Sequence, residues 1–136
     1  MAYFKSTEEA GQYIGKVWEL IGEDPELGPK LGNANLVMKG VYSDPPLEVT
    51  IECRDGKVVS HLGDCGIEAD ATLTMTADTG HKFFLGALNL PLAMAKGQVK
   101  ADGKMTSVMK LLPFMKPAFT RYRDYLKQNG REDLLA

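Results

Sequence analysis

The 136 residues carry 16 basic and 18 acidic side chains, with 44% apolar and 25% charged residues. That balance suits a globular chain and argues against a nucleic-acid footprint, a strongly acidic binding field or extended disorder. A chain of this size buries roughly two-thirds of its unfolded surface, enough for one core, so a single domain over residues 1–136 is expected. The longest uncharged run, Phe83 to Ala95, falls short of the roughly 20 residues a membrane span needs. It also contains Gly86 and Pro91. Cys53 and Cys65 lack CxxC spacing and no secretory pattern opens the chain, so both are expected as reduced thiols in a cytoplasmic protein. The last residues, Asp133 to Ala136, lack an SKL-type peroxisomal address.

Ser6 with Glu9 forms a capping box, and Ala10, Tyr13, Ile14, Val17, Trp18 and Ile21 follow at helical spacing. Asp24-Pro25 reads as an N-cap and first-turn proline for a second, short helix limited by Gly28 and Gly32. From Asn35 the pattern turns to strands: Leu36 to Tyr42, a Pro45-Pro46 break, then Leu47 to Arg54 in strict alternation. Asp55-Gly56 predicts a two-residue hairpin into Lys57–Leu62, pairing Cys53 with Val58, Ile51 with Ser60 and Val49 with Leu62 on a buried face. Glu48, Thr50, Glu52 and His61 fall on the opposite, wet face.

Ala71, Leu73 and Met75 alternate with threonines in a fourth strand. Asp78 or Thr79 then caps a helix through Phe83, Phe84 and Leu85. Asn89 to Pro91 breaks it, a short helix covers Leu92 to Lys96, and Gln98 to Ala101 reads as a strand after Gly97. Met105, Val108, Met109 and Leu112 share one helical stripe before Pro113, and a last helix is expected from about Pro117 to Gln128, with Phe119, Tyr122 and Leu126 inward. This order implies an α+β fold with helices on one face of a mostly antiparallel sheet.

Flexible apolar side chains are unusually dense here, and groups suited to catalysis are few. Met75, Met94, Met105, Met109 and Met115 suit a wall that adapts to a greasy ligand, and equally suit plain core. Phe83, Phe84, Leu88, Leu90, Leu92, Val108 and Leu112 have the same two readings, with Leu90 and Leu92 the better portal candidates because they flank a break. Phe114 and Phe119 are placed to close the site from the C-terminal side, and Gln98 is the polar candidate for a headgroup. Lys110, Lys116, Arg121 and Arg123 form a basic stretch suited to anionic headgroups, to acyl-CoA phosphates or simply to a solvated helix face.

The order ADATLTM, Phe83-Phe84-Leu85, Asn89 before a nearby proline, Ala93, Lys96-Gly97-Gln98-Val99-Lys100, Gly103 and Met105 resembles the sterol carrier protein 2 family over nearly the whole chain. The resemblance implies a five-stranded sheet with about five helices over one face, enclosing an apolar tunnel. It also implies binding and transport of fatty acids, fatty acyl-CoA, sterols or phospholipids. Two features depart from the family pattern. Asn89-Leu90-Pro91 replaces Asn-Pro, and the chain continues past Leu112 into a helical extension at about 113–130, as in small bacterial, stand-alone members.

Enzymatic readings find little footing. Asp78-Thr79-Gly80 matches the short aspartic-protease triplet, without a second copy, and an N-cap aspartate explains it better. His61 and His81 lack the spacing of a zinc pair, and Cys65 lacks an orienting third group. The expectation is therefore a lipid carrier without catalytic residues, metal or cofactor, in transient contact with anionic membrane. The alternative is an interaction or accessory module that uses the fold without a ligand.

Overall fold

In the computed structural model, which describes residues 3–135, α1 (Thr7–Ala10) passes through a π-helical turn (Gly11–Gly15) into α2 (Lys16–Glu23) as one unbroken helix. Ser6 caps it, accepting the Glu9 N–H at 3.1 Å, while the Glu9 carboxylate accepts from the Lys5 N–H one residue outside the usual box. The π turn carries Tyr13 and Ile14 inward, both buried. It brings Gly15 so close to the sheet that a Cβ there would meet Leu62 Cδ2 at 2.7 Å.

Asp24 organises the next corner. Its carboxylate accepts the backbone N–H groups of Glu26 and Leu27 and pairs with Arg121 at 2.7 Å. Those backbone donors, Leu27 first, and then Arg121 hold it below the ordinary carboxylate range. The helix α3 (Leu27–Gly32) starts behind this turn. It ends against the hairpin, where a Cβ on Gly32 would lie 2.3 Å from the Gly56 backbone.

The strands β1 (Leu36–Ser43), β2 (Leu47–Arg54), β3 (Lys57–Leu62), β4 (Ala71–Thr76) and β5 (Lys100–Gly103) form one mixed sheet in the order β3-β2-β1-β4-β5. The β1·β4 ladder is parallel and the other ladders are antiparallel. The hairpin register is the one Asp55-Gly56 implies: Cys53 opposite Val58, Ile51 opposite Ser60, Val49 opposite Leu62. Burial departs from the alternation in two places. Leu62, on the inward face, is 58% exposed, because it ends the edge strand and packs sideways on Gly11 and Gly15. Thr50, on the wet face, is 1% exposed, since it lies on the interior strand β2 and neighbours Lys39 and His61 across the ladders.

The helices α4 (Ala77–Phe84), α5 (Leu90–Ala95), α6 (Met105–Leu111) and α7 (Lys116–Gln128) complete the fold, with single 3-10 turns at Leu112–Phe114 and Glu132–Leu135. Three boundaries differ from expectation. Thr76, not Asp78 or Thr79, caps α4 and accepts the Thr79 N–H; Asp78 instead accepts the Tyr3 N–H at 2.9 Å. Asn89 caps α5 through the Leu92 N–H, so Pro91 lies inside the first turn rather than in a break. The strand β5 starts at Lys100, leaving Gln98 in the preceding turn, where its N–H bonds the Ala93 carbonyl. The expectations concerning a leader and the C-terminal tetrapeptide involve Met1, Ala2 and Ala136, which lie outside the described residues.

Candidate ligand-binding site

The inward alternation of β1, Leu36, Met38, Gly40 and Tyr42, is buried throughout and forms the floor of the interior. Tyr42 fits because two glycines make room: a Cβ on Gly40 would stand 2.8 Å from its hydroxyl, and one on Gly80 would stand 2.5 Å from its ring. Above it, a chain of edge-on aromatic contacts joins three helices. Phe119 meets Phe83 at 5.5 Å, Phe83 meets Phe84 at 5.1 Å, and Phe84 meets Trp18 at 5.8 Å between ring centres. Arg123 closes the end of α4 by donating to the Leu85 carbonyl from Nε at 2.9 Å and Nη2 at 2.5 Å.

Between floor and aromatic wall lies a cavity of about 60 Å³. Where the resemblance implies a tunnel, this space has room for a few waters and is well below the roughly 300 Å³ of a small ligand pocket. Of the candidate residues, Met75, Phe83, Phe84, Leu90, Val108, Leu112 and Met115 line it. Leu88, Met94, Met105, Met109 and Phe119 instead pack, half-buried, against the core around it. Leu90 is wall rather than portal, because the Asn89 cap turns it inward, whereas Leu92 on the outer side of α5 is 49% exposed. Phe114 is 40% exposed, with the Lys30 ammonium 4.0 Å above its ring. Gln98 faces solvent outside the cavity.

Sequence reasoning missed Trp18, Met38, Tyr42 and Leu73, which also line the space. The signal was available: each lies on the inward repeat of its own element, and a glycine at 40 in a strand marks room for a neighbour. Lys39 contributes to the wall as well, but its ammonium pairs with Glu48 at 3.5 Å. The two lie diagonally across β1 and β2, Lys39 opposite Thr50 and Glu48 opposite Val41, on the side away from the core.

The groups nominated for chemistry are dispersed. His61 pairs with Glu52 at 2.6 Å on the wet face, and that hydrogen bond, followed by the Arg54 contact, keeps the Glu52 carboxyl low. His81 is buried in the core on Tyr122 and the Leu134 carbonyl. Burial pushes the Cys53 thiol up to about 11, and Cys65 is a second free thiol. Among the described residues, no group of three or more His, Cys, Asp or Glu side chains is placed to hold a metal ion. No helix among them is long and apolar enough to cross a membrane.

The fold, an α+β domain with a small apolar space between a five-stranded sheet and its helices, is that of the sterol carrier protein domains on which it superposes. The SCP-2 sterol transfer family matches residues 18–116, and the chain belongs to it. The solution structure of sterol carrier protein domain 2 from Helicoverpa armigera superposes with a TM-score of 0.69 at 19% identity, over 88% of this chain and 96% of that one. Sterol carrier protein 2 from Aedes aegypti, solved in complex with the C16 fatty acid palmitate, gives a TM-score of 0.53 at 26% identity, over 83% and 96%. An (R)-specific secondary-alkylsulfatase from Pseudomonas is 27% identical over 88 residues, 62% of this chain. The match spans 13% of the sulfatase, so in that enzyme an SCP-2 unit is one part of a much longer protein.

Proposed function

We propose that the protein is a non-enzymatic lipid carrier that holds a fatty acid, fatty acyl-CoA, sterol or phospholipid between its sheet and helices. The observation that carries this reading is the apolar cavity, walled in part by Met38, Met75 and Met115, in a chain of this family. Palmitate, the ligand of the Aedes aegypti relative, is the first to test. Loading a whole acyl chain requires the cavity of about 60 Å³ to widen. Unbranched methionines repack at low cost, and α6 buries only Val108, so this is the wall that yields.

At about 0.8 kcal/mol per buried methylene, a chain with roughly fourteen gains about 11 kcal/mol as an upper bound, before association costs of about 4–15 kcal/mol. Affinity is therefore moderate and graded with chain length. Lys110 and Lys116, exposed beside the cavity-lining Leu111, Leu112 and Met115, supply cationic groups for anionic headgroups or membrane, whereas Arg121 and Arg123 are engaged by Asp24 and the Leu85 carbonyl. The free thiols Cys53 and Cys65 accord with a cytoplasmic carrier.

A second reading, an accessory module of a lipid or acyl-CoA enzyme, is favoured by the sulfatase match. Native mass spectrometry of the protein as purified, followed by organic extraction, separates the two. Added masses that extract as lipid support the carrier. A bare mass that stays bare after incubation with palmitate and a lipid panel favours the module.

A further inference from the structure

Trp18 stands on the cavity wall, is 8% exposed, and its indole N–H is buried without a hydrogen-bond partner among the described residues. Buried donors in native proteins are nearly always satisfied, so an orphan beside a cavity points to a missing acceptor. A second polar group shares the space. The Tyr42 hydroxyl, which Gly40 approaches so closely that a Cβ there would stand 2.8 Å from it, belongs to a wall that is otherwise almost wholly apolar. Among the described residues, no cationic group stands inside to compensate an anion, since the Lys39 ammonium is engaged by Glu48 on the far face. A carboxylate or phosphate driven to this depth would lose its hydration without a countercharge. A neutral oxygen would not.

Resting on the carrier reading above, we propose that the Trp18 wall of the cavity is a subsite for a neutral oxygen acceptor, a hydroxyl or ketone on a long apolar body, received by the Trp18 indole N–H. The ligand thus enters with its oxygen inward, and any anionic group it carries stays outside. Tyr42, which both donates and accepts, offers the second partner on the same wall. A hydroxyl is therefore the best complement, because it accepts from Trp18 and has a proton left to give.

The experiment titrates 1-dodecanol, 2-dodecanone and dodecane into 15N-labelled wild type and Trp18→Phe. Trp18 is the sole tryptophan, so one indole N–H resonance reports the site in the unmodified protein. Dodecanol and dodecanone are expected to move that resonance downfield, as hydrogen bonding requires, and dodecane is not. The oxygenated-to-alkane affinity ratio should be about tenfold higher in wild type than in Trp18→Phe, the worth of one typical hydrogen bond. The two oxygenated arms separate hydroxyl from carbonyl recognition. An equal ratio in both proteins, or an indole resonance that responds alike to alkane and alcohol, overturns the subsite and leaves the carrier standing. If none of the three ligands binds, while extraction also yields no lipid, the carrier reading falls and takes the subsite with it. Should Trp18→Phe fail to fold, the wild-type resonance and the same cycle on Tyr42→Phe decide.

Discussion

The Nδ1 atom of His81 lies 2.7 Å from the Tyr122 hydroxyl inside the core, while its Nε2 lies 2.6 Å from the Leu134 carbonyl oxygen. The carbonyl only accepts, so Nε2 carries the proton and Tyr122 donates to the bare Nδ1. One neutral imidazole thus ties α4 to α7 and to the last 3-10 turn. Burial lowers its pKa from 6.5, against smaller upward pulls from the Leu134 carbonyl and Asp78 and a downward one from Arg131.

The unfolded chain therefore takes up this proton more readily than the native one. The stability it contributes is complete above 6.5 and is lost as pH falls from there through the folded value. Thermal unfolding midpoints should drop between about pH 7 and about pH 5. His81→Gln should be less stable by about 1–3 kcal/mol at neutral pH, since it leaves a buried partner unpaired, and should show a flatter profile. A wild-type profile already flat over that range contradicts the burial-lowered pKa of His81.

Arg131 makes the complementary tie to the first helix. Its Nη1 reaches Glu9 at 3.2 Å and the Tyr13 hydroxyl at 3.3 Å, its guanidinium lies 5.1 Å from the Tyr13 ring, and Asp133 takes Nε and Nη2. Single exposed pairs contribute little, but a network that includes a ring contact is worth about 1 kcal/mol. Arg131→Ala is expected to lower stability by about that much and to speed proteolysis of the last turn. Equal cleavage rates would show that His81 alone holds the C-terminal segment.

Two glycines separate packing from backbone strain. A Cβ at Gly32 would stand 2.3 Å from the Gly56 carbonyl carbon and the Lys57 nitrogen, both main-chain atoms that yield only if the hairpin moves. Gly97 has open space around it and a φ of +76°. Gly32→Ala should therefore cost about 3 kcal/mol or prevent folding, and Gly97→Ala about 1–2 kcal/mol from the left-handed backbone alone. Denaturant unfolding of both variants checks the ranking, and a reversal would place the hairpin further from α3 than the structure has it.

Much of this architecture is legible in residues whose geometry leaves few choices. Asp55-Gly56 sets the register of β2 on β3, and the period of Ala10 to Ile21 marks the buried face of the first helix. What pattern leaves open is which inward residue meets space and which meets another side chain. Val108 and Met109 are neighbours on one stripe, yet Val108 lines the cavity and Met109 packs beside it. The difference arises from the rotation of α6 over the sheet, which is set by contacts far away in the chain. Caps shift for a related reason. Thr76, the end of β4, already points at the Thr79 N–H, which leaves Asp78 for the distant Tyr3 N–H.

The basic stretch divides by what its members already touch. Arg121 pairs with Asp24, and both bonding nitrogens of Arg123 go to the Leu85 carbonyl, so these two hold α7 in place. Lys110 and Lys116 are exposed, on α6 and at the start of α7, next to the cavity-lining residues Leu111, Leu112 and Met115. If anionic membrane meets this edge, the lysines carry the attraction, at about 1 kcal/mol for each lysine near the surface. The double variant Lys110→Ala with Lys116→Ala should then bind vesicles rich in anionic lipid roughly thirtyfold more weakly in low salt. Its stability should change by less than about 0.5 kcal/mol. Arg121→Ala and Arg123→Ala should do the reverse, lowering the unfolding midpoint while leaving vesicle binding nearly intact. Raising salt should erase the lysine effect, because a screening length of about 3 Å at molar salt removes exposed attractions. Co-sedimentation at two salt concentrations measures this directly, and equal binding by wild type and the lysine variant in low salt would exclude this edge as the membrane contact.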